Sequence, residues 1–188
     1  MNADKIIQKC SHIPSSVFEP EQRMWFDMIS ILDKPLIVDF GTGHGKSASS
    51  LALCNPEATV YTFDPGLPYI NSGCNEEQYE EETKKFIVDS GATNVTFSRE
   101  SSLEKEWDKE IDVLNIDSDH TYEATKREIE RWLPFVKKGG IVFFHDYEHP
   151  RCPGVREAID ELIPSKFDFE LITVTDAGAV KCACFRRN

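Results

Sequence analysis

Short, continuous apolar runs alternate along this chain with longer stretches in which apolar residues return every three or four positions. The runs predict buried strands and the longer stretches amphipathic helices. A first helix is expected over 20–32, where Met24, Trp25, Met28, Ile29 and Leu32 share a face, Pro20 suits a first turn and Pro35 ends the element. Residues 36–40 then read as a strand, 45–54 as a helix stopped by Asn55-Pro56, and 59–63 as a second strand. A loop over 64–75 leads to an acidic helix over 76–89, closed by Ser90-Gly91. Residues 95–98 give a third strand, a short helix is expected near 101–107, and residues 111–116 give a fourth strand. The helix expected over 121–133 turns Tyr122, Ile129, Trp132 and Leu133 inward, with Glu123/Arg127 and Lys126/Glu130 paired on its wet face. Lys137-Lys138-Gly139-Gly140 reads as a turn into a fifth strand over 141–144. Val155, Ala158, Ile159, Leu162 and Ile163 mark a last helix stopped by Pro164. Two final strands, about 167–174 and 179–185, flank Asp176-Ala177-Gly178, a hairpin spacing that makes the last strand antiparallel to its neighbour.

Strand-helix alternation of this kind predicts an α/β fold of three layers, α/β/α: a seven-stranded, mostly parallel sheet covered on both faces, with an antiparallel last strand. The 188 residues suit one domain, with an N-terminal helical cap over 1–35 and a core over 36–185. The net charge of −12 disfavours both a nucleic-acid partner and an anionic membrane surface. No apolar run approaches the ~20 residues of a bilayer span, and no leader pattern opens the chain. The six cysteines contain no CxxC pair and read as reduced thiols of a cytoplasmic protein, with Cys182 and Cys184 on one sheet face.

The chemistry concentrates at strand ends. Asp39-Phe40-Gly41-Thr42-Gly43-His44-Gly45 leaves the first strand and opens a helix, with glycines that allow tight turns and close approach of a ligand to the main chain. The spacing is one residue short for a Walker A loop, and Lys46 stands where a dinucleotide fingerprint needs its third glycine. Asp64 ends the second strand, where a carboxylate can accept both hydroxyls of a ribose. Asp117-Ser118-Asp119-His120-Thr121-Tyr122-Glu123 follows the fourth strand and His145-Asp146-Tyr147 the fifth, on the sheet edge where open α/β sheets bind ligands. One of Ser118, Asp119 and Thr121 is expected to cap the next helix.

The glycine loop resembles motif I of class I S-adenosylmethionine-dependent methyltransferases, acid-x-G-x-G-x-G, and Asp64 matches that family's ribose acid. The stretch from Ile111 to Leu162 resembles a branch with D-x-D-H-x-Y-E, then G-G-x-x-x-x-H-D, then a Gly-Val-Arg helix start, here Gly154-Val155-Arg156. Relatives include sugar, macrolide and catechol-type O-methyltransferases. The resemblance implies a Rossmann-like methyltransferase fold and S-adenosyl-L-methionine as cofactor. It implies cofactor contacts from Asp39, Gly41, Thr42, Gly43, Gly45, Asp64 and Asp117, with Glu100 and Ser101 beside the adenine, though Ser101 or Ser102 also suits a helix cap. It also implies a divalent metal, Mg²⁺ or Mn²⁺, on Asp117 (or Asp119), His145 and Asp146. His145 stands where those relatives carry an acid, which weakens Mg²⁺ and favours Mn²⁺, another transition metal or none.

The expected reaction is in-line methyl transfer to a small-molecule acceptor, at a hydroxyl oxygen by elimination: no Asn/Asp-Pro-Pro-Tyr turn follows the fourth strand. Deprotonation is expected from His145 ahead of His120, with Asp117 or Asp119 orienting the imidazole or taking the proton. A non-catalytic nucleoside binder and, further off, a nicotinamide-dependent oxidoreductase are the alternatives. The acceptor pocket is expected from residues 11–26, 65–75 and 147–154, which carry Phe18, Trp25, Tyr69, Tyr147 and His149. So little chain covers the site that a second copy, in a homodimer, could complete it.

Overall fold

The computed structural model describes residues 1–67, 73–175, 178 and 180–188. Tyr69 and the Asp176-Ala177 part of the expected hairpin turn lie outside the described residues. The elements are α1 (Ala3–Cys10), α2 (Glu19–Ile29), β1 (Leu36–Phe40), α3 (Lys46–Cys54), β2 (Thr59–Phe63), α4 (Glu76–Ser90) and β3 (Val95–Ser98), followed by β4 (Ile111–Ile116), α5 (Tyr122–Trp132), β5 (Val136–Phe144), α6 (Pro153–Lys166), β6 (Phe169–Val174) and β7 (Ala183–Arg187). Among the described residues seven strands form one sheet in the order β3-β2-β1-β4-β5-β7-β6. β7 runs antiparallel to both neighbours; the other pairs are parallel. This is a three-layer α/β/α, Rossmann-like architecture.

Both sheet faces are buried, which is why the central strands are continuous apolar runs rather than alternating ones. Ile37 packs with Trp25, Ile29 and Leu51 on one face. Val38 and Phe40 pack with Ile129, Trp132 and Ile159 on the other. Cys182 and Cys184 join the first of these cores, as their spacing predicts. Strand order reverses between β1 and β4, and a crevice opens there at the carboxyl ends.

Several local expectations change. Residues 3–10, assigned no element from the pattern, form α1, capped by the Asn2 side chain and buried through Ile6 and Cys10. The short helix near 101–107 is only a turn, because tertiary partners use its carbonyls: Trp132 donates to Ser102 O and Arg131 to Lys105 O. β5 begins at Val136, and the expected Lys-Lys-Gly-Gly turn is an irregularity inside it, where pairing with β4 jumps from Ile111↔Val136 to Val113↔Ile141. Pro164 lies inside the last turn of α6 rather than stopping it. Glu130 pairs with Lys166 of α6, and Lys126 reaches the Tyr122 hydroxyl.

Candidate functional site

Strand register builds the site. Phe40 lies beside Phe63 and Ile116, and Ile116 beside Phe144, so the next residue on each strand falls on one line. Those residues are Gly41, Asp64, Asp117 and His145. Backbone bonds continue one step past the strands to hold them: Gly41 N–H donates to Phe63 O, Asp117 N–H to Phe40 O and His145 N–H to Ile116 O. A Cβ on Gly41 would lie 1.7 Å from the Asp117 carbonyl oxygen, so only glycine lets the two strand ends meet this closely.

The crevice is a cleft of about 510 Å³. Of the residues singled out from the sequence, Gly41, Thr42, Gly43, Asp64, Ser101, Asp117, Asp119 and His120 line it. Asp64 accepts from Gly43 N–H at 2.8 Å and from Gly66 N–H at 2.7 Å. Each carboxylate oxygen accepts about two hydrogen bonds, so Asp64 keeps capacity toward the cleft. Gly43 O is clamped in turn by Tyr79 and Thr83 of α4, at 2.9 and 3.1 Å. Asp119 accepts from Thr121 N–H at 2.9 Å, and Thr121 caps α5.

Three expected cofactor contacts lie elsewhere. Asp39 is fully buried and outside the cleft wall, because Ser47, Thr62 and Asn115 all donate to it, at 2.9, 2.7 and 2.7 Å. Burial pushes its carboxyl up to about 7, against those three hydrogen bonds. It ties β1 to β2, α3 and β4. Gly45 faces α4, where an added Cβ would meet Ile87. Glu100 points to solvent and pairs with Lys105 and Ser98.

Beside the cleft, donor atoms of Asp117, His120, His145 and Asp146 lie within 4.8 Å of one another. His120 stands at the edge, its side chain 42% exposed, with Nε2 3.3 Å from Asp117 and 3.0 Å from Asp146. His145 is 2% exposed. Its Nδ1 lies 3.0 Å from Asp117 and 3.3 Å from Asp146, and its Nε2 lies 3.3 Å from Glu21. Burial disfavours a charged His145 ring, but the Asp117 charge and the ring's interactions with the accepting carboxylates of Asp117, Asp146 and Glu21 outweigh it and hold the ring's pKa well above its ordinary value. The ring has no face on the cleft, so the structure puts His120, and not the first-ranked His145, within reach of an acceptor. Burial likewise pushes the Asp117 carboxyl up, and the facing His145 and His120 more than offset it. Asp146 holds its place with a positive φ of 59°, an uncommon backbone for a non-glycine residue.

Of these, Asp117, His145 and Asp146 fit a divalent ion, and an imidazole beside two carboxylates suits Mn²⁺ or a later transition metal better than Mg²⁺. Glu21 behind His145 is placed as the outer partner that orients a ligating imidazole.

The pattern missed Glu21 and Glu128. Glu21 sits three and four residues before Met24 and Trp25, on the buried face of α2, and its carboxylate caps the helix through Phe18 N–H. Glu128 shares the buried face of α5 with Thr125, Ile129 and Trp132. In both, a carboxylate on the inward face was the available signal. Among the described residues the cleft cover is also narrower than expected. Pro14–Val17 and Pro65 and Leu67 contribute, whereas Trp25 is packed against Phe143, and Tyr147 and His149 line a separate groove.

The model of a family described as a methyltransferase domain matches residues 38–147. An uncharacterized protein of Acanthamoeba polyphaga mimivirus is 25% identical over 186 residues, covering 88% of this chain and 81% of its own. Among solved structures, an O-methyltransferase of Bacillus cereus in complex with SAH matches with a TM-score of 0.69 at 17% identity, over 98% of this chain and 90% of that one. An rRNA methylase of Streptococcus thermophilus matches with a TM-score of 0.66 at 18% identity, over 92% and 99%. At these identities the two structures establish a shared fold.

Proposed function

The chain belongs to the methyltransferase domain family, and from that premise we propose that it binds S-adenosyl-L-methionine and moves its methyl group to a hydroxyl oxygen of a small molecule. One observation carries the reading: Asp64 lies one residue beyond β2, fixed by two backbone N–H groups beside the glycine loop, and faces the cleft. That is where a carboxylate accepts the two hydroxyls of a ribose.

The sulfonium is already a strong methyl donor, so the protein's part is alignment and proton removal. With that donor bound, the cleft would hold an acceptor hydroxyl in line with the methyl group it supplies, and His120 would take the hydroxyl's proton. His120 suits this role because it lines the cleft while Asp117 and Asp146 hold Nε2. Asp117, His145 and Asp146 are the residues that would hold a divalent ion, and such an ion supplies positive charge that eases deprotonation of a hydroxyl. Two features favour a small acceptor over RNA. The net charge is −12, and none of the described residues lining the cleft is Lys or Arg.

Calorimetric titration with S-adenosylhomocysteine tests the site. Asp64→Ala is expected to weaken binding by roughly 10²–10⁴-fold, the worth of two charge-assisted hydrogen bonds. His120→Ala is expected to keep that affinity and to lower turnover by roughly 10²–10⁴-fold against whichever hydroxyl compound in an acceptor panel releases S-adenosylhomocysteine. Equal affinity in wild type and Asp64→Ala removes the site assignment. Binding without turnover on every acceptor favours a nucleoside-binding protein instead.

A further inference from the structure

Glu128 is 1% exposed, yet it belongs to the wall of the cleft. Its Oε1 accepts hydrogen bonds from both Ser102 and Ser118. The loops after β3 and β4 therefore meet at this one carboxyl. Its Oε2 is buried with no hydrogen-bond partner among the described residues. A carboxylate oxygen left in that condition costs several kcal/mol in general, so a buried one is retained where something pairs with it. Phe63 and Leu103 line the same cleft and offer apolar surface for a flat ring.

We propose that Glu128 reads the base of the bound nucleoside by accepting a hydrogen bond from the 6-amino group of adenine at Oε2. The inference rests on the methyl-donor reading above. The chemistry selects the group. The two serine hydroxyls engage Oε1 and leave an acceptor on Oε2, and adenine offers one kind of donor, its exocyclic amino group. A 6-oxo base would turn an acceptor toward the carboxylate. Glu128 is thus a specificity residue for the donor's base, separate from Asp64 at the ribose and from the acid-histidine cluster.

The experiment titrates wild type and Glu128→Gln with S-adenosylhomocysteine and with S-inosylhomocysteine, in which a 6-oxo group replaces the 6-amino group and N1 carries a proton. Wild type is expected to bind the amino compound roughly 10–100-fold tighter, a comparison that needs no variant to fold. In Glu128→Gln the preference is expected to shrink at least tenfold or invert, since an amide N–H₂ facing the cleft can donate to a 6-oxo group. Glu128→Asp, which keeps the charge but draws it back, serves where the glutamine variant does not fold and is expected to lower the preference likewise. Equal binding of the two compounds by wild type overturns the inference and leaves the methyl-donor reading standing. An equal loss for both compounds in the variants also overturns it, since that is the mark of a merely structural carboxyl. Binding of neither compound by wild type overturns the methyl-donor reading and this inference with it.

Discussion

Gly41→Ala tests whether the cleft depends on the close approach of β1 and β4. Gly41 has φ +82°, and an added Cβ would lie 1.7 Å from the Asp117 carbonyl oxygen, 2.5 Å from its carbon and 3.2 Å from Ser118 Cα. All three neighbours are backbone, so no side chain can swing aside. The strand ends would have to part by more than about 1 Å to reach ordinary contact. The left-handed conformation costs an alanine about 1–2 kcal/mol, and overpacking adds about 1–3 kcal/mol. For a chain of this size that is a fall in Tm of about 4–20 °C. Gly139 supplies the control, with φ +76° and nothing within 4 Å of its added Cβ. Gly139→Ala therefore carries only the conformational cost, about 2–8 °C. Parting also disturbs the Gly41 and Asp117 backbone bonds that align the site. Below its melting temperature, Gly41→Ala is therefore expected to bind S-adenosylhomocysteine at least a hundredfold more weakly. Thermal melts and calorimetry on the pair measure both effects. A Gly41→Ala protein that melts with the Gly139 control and keeps wild-type affinity refutes the reasoning.

Three other measurements bear on the site. Asp39 and Glu128 are both pushed up to about 7 by burial, so the folded state holds their protons more tightly than the unfolded chain; their stabilising contribution is present below pH ~4 and lost as pH rises toward ~7. Denaturant melts are expected to show stability falling by a few kcal/mol across that window, less steeply in Asp39→Asn, and a level wild-type profile would contradict the burial argument. Tyr79→Phe removes one hydrogen bond from Gly43 O and is expected to weaken cofactor affinity roughly 2–10-fold with little change in Tm; an unchanged Kd would detach α4 from the glycine loop. After chelation, Mn²⁺ at about 100 times its Kd is expected to raise Tm by about 5–11 °C, more than Mg²⁺ does, and the rise should vanish in His145→Ala; no response to either ion would leave the cluster a purely electrostatic device.

The amino-acid sequence by itself determined the sheet and most of the cleft wall. Continuous apolar runs bounded by Pro, Gly and Asn specify buried parallel strands locally, and the bounds of β1, β2, β3 and β4 match the expected runs. Because ligands gather at the carboxyl ends of such strands, the Gly41, Asp64 and Asp117 positions were legible from spacing alone. What tertiary structure decided is which way each polar side chain faces. Asp39 and Asp64 are both acids at strand ends, yet one turns into the protein toward three donors and the other lines the cleft. His120 and His145 are equally suited to proton transfer as residue types, and only the packing of α2, with Glu21 behind His145, separates the exposed ring from the buried one. Glu128 looks like one more charge on a highly charged helix until two loops close over it. Strand pattern is a local property of the chain, whereas the surroundings of a carboxyl or an imidazole are set by segments far away in sequence, and those surroundings govern its charge and its chemistry.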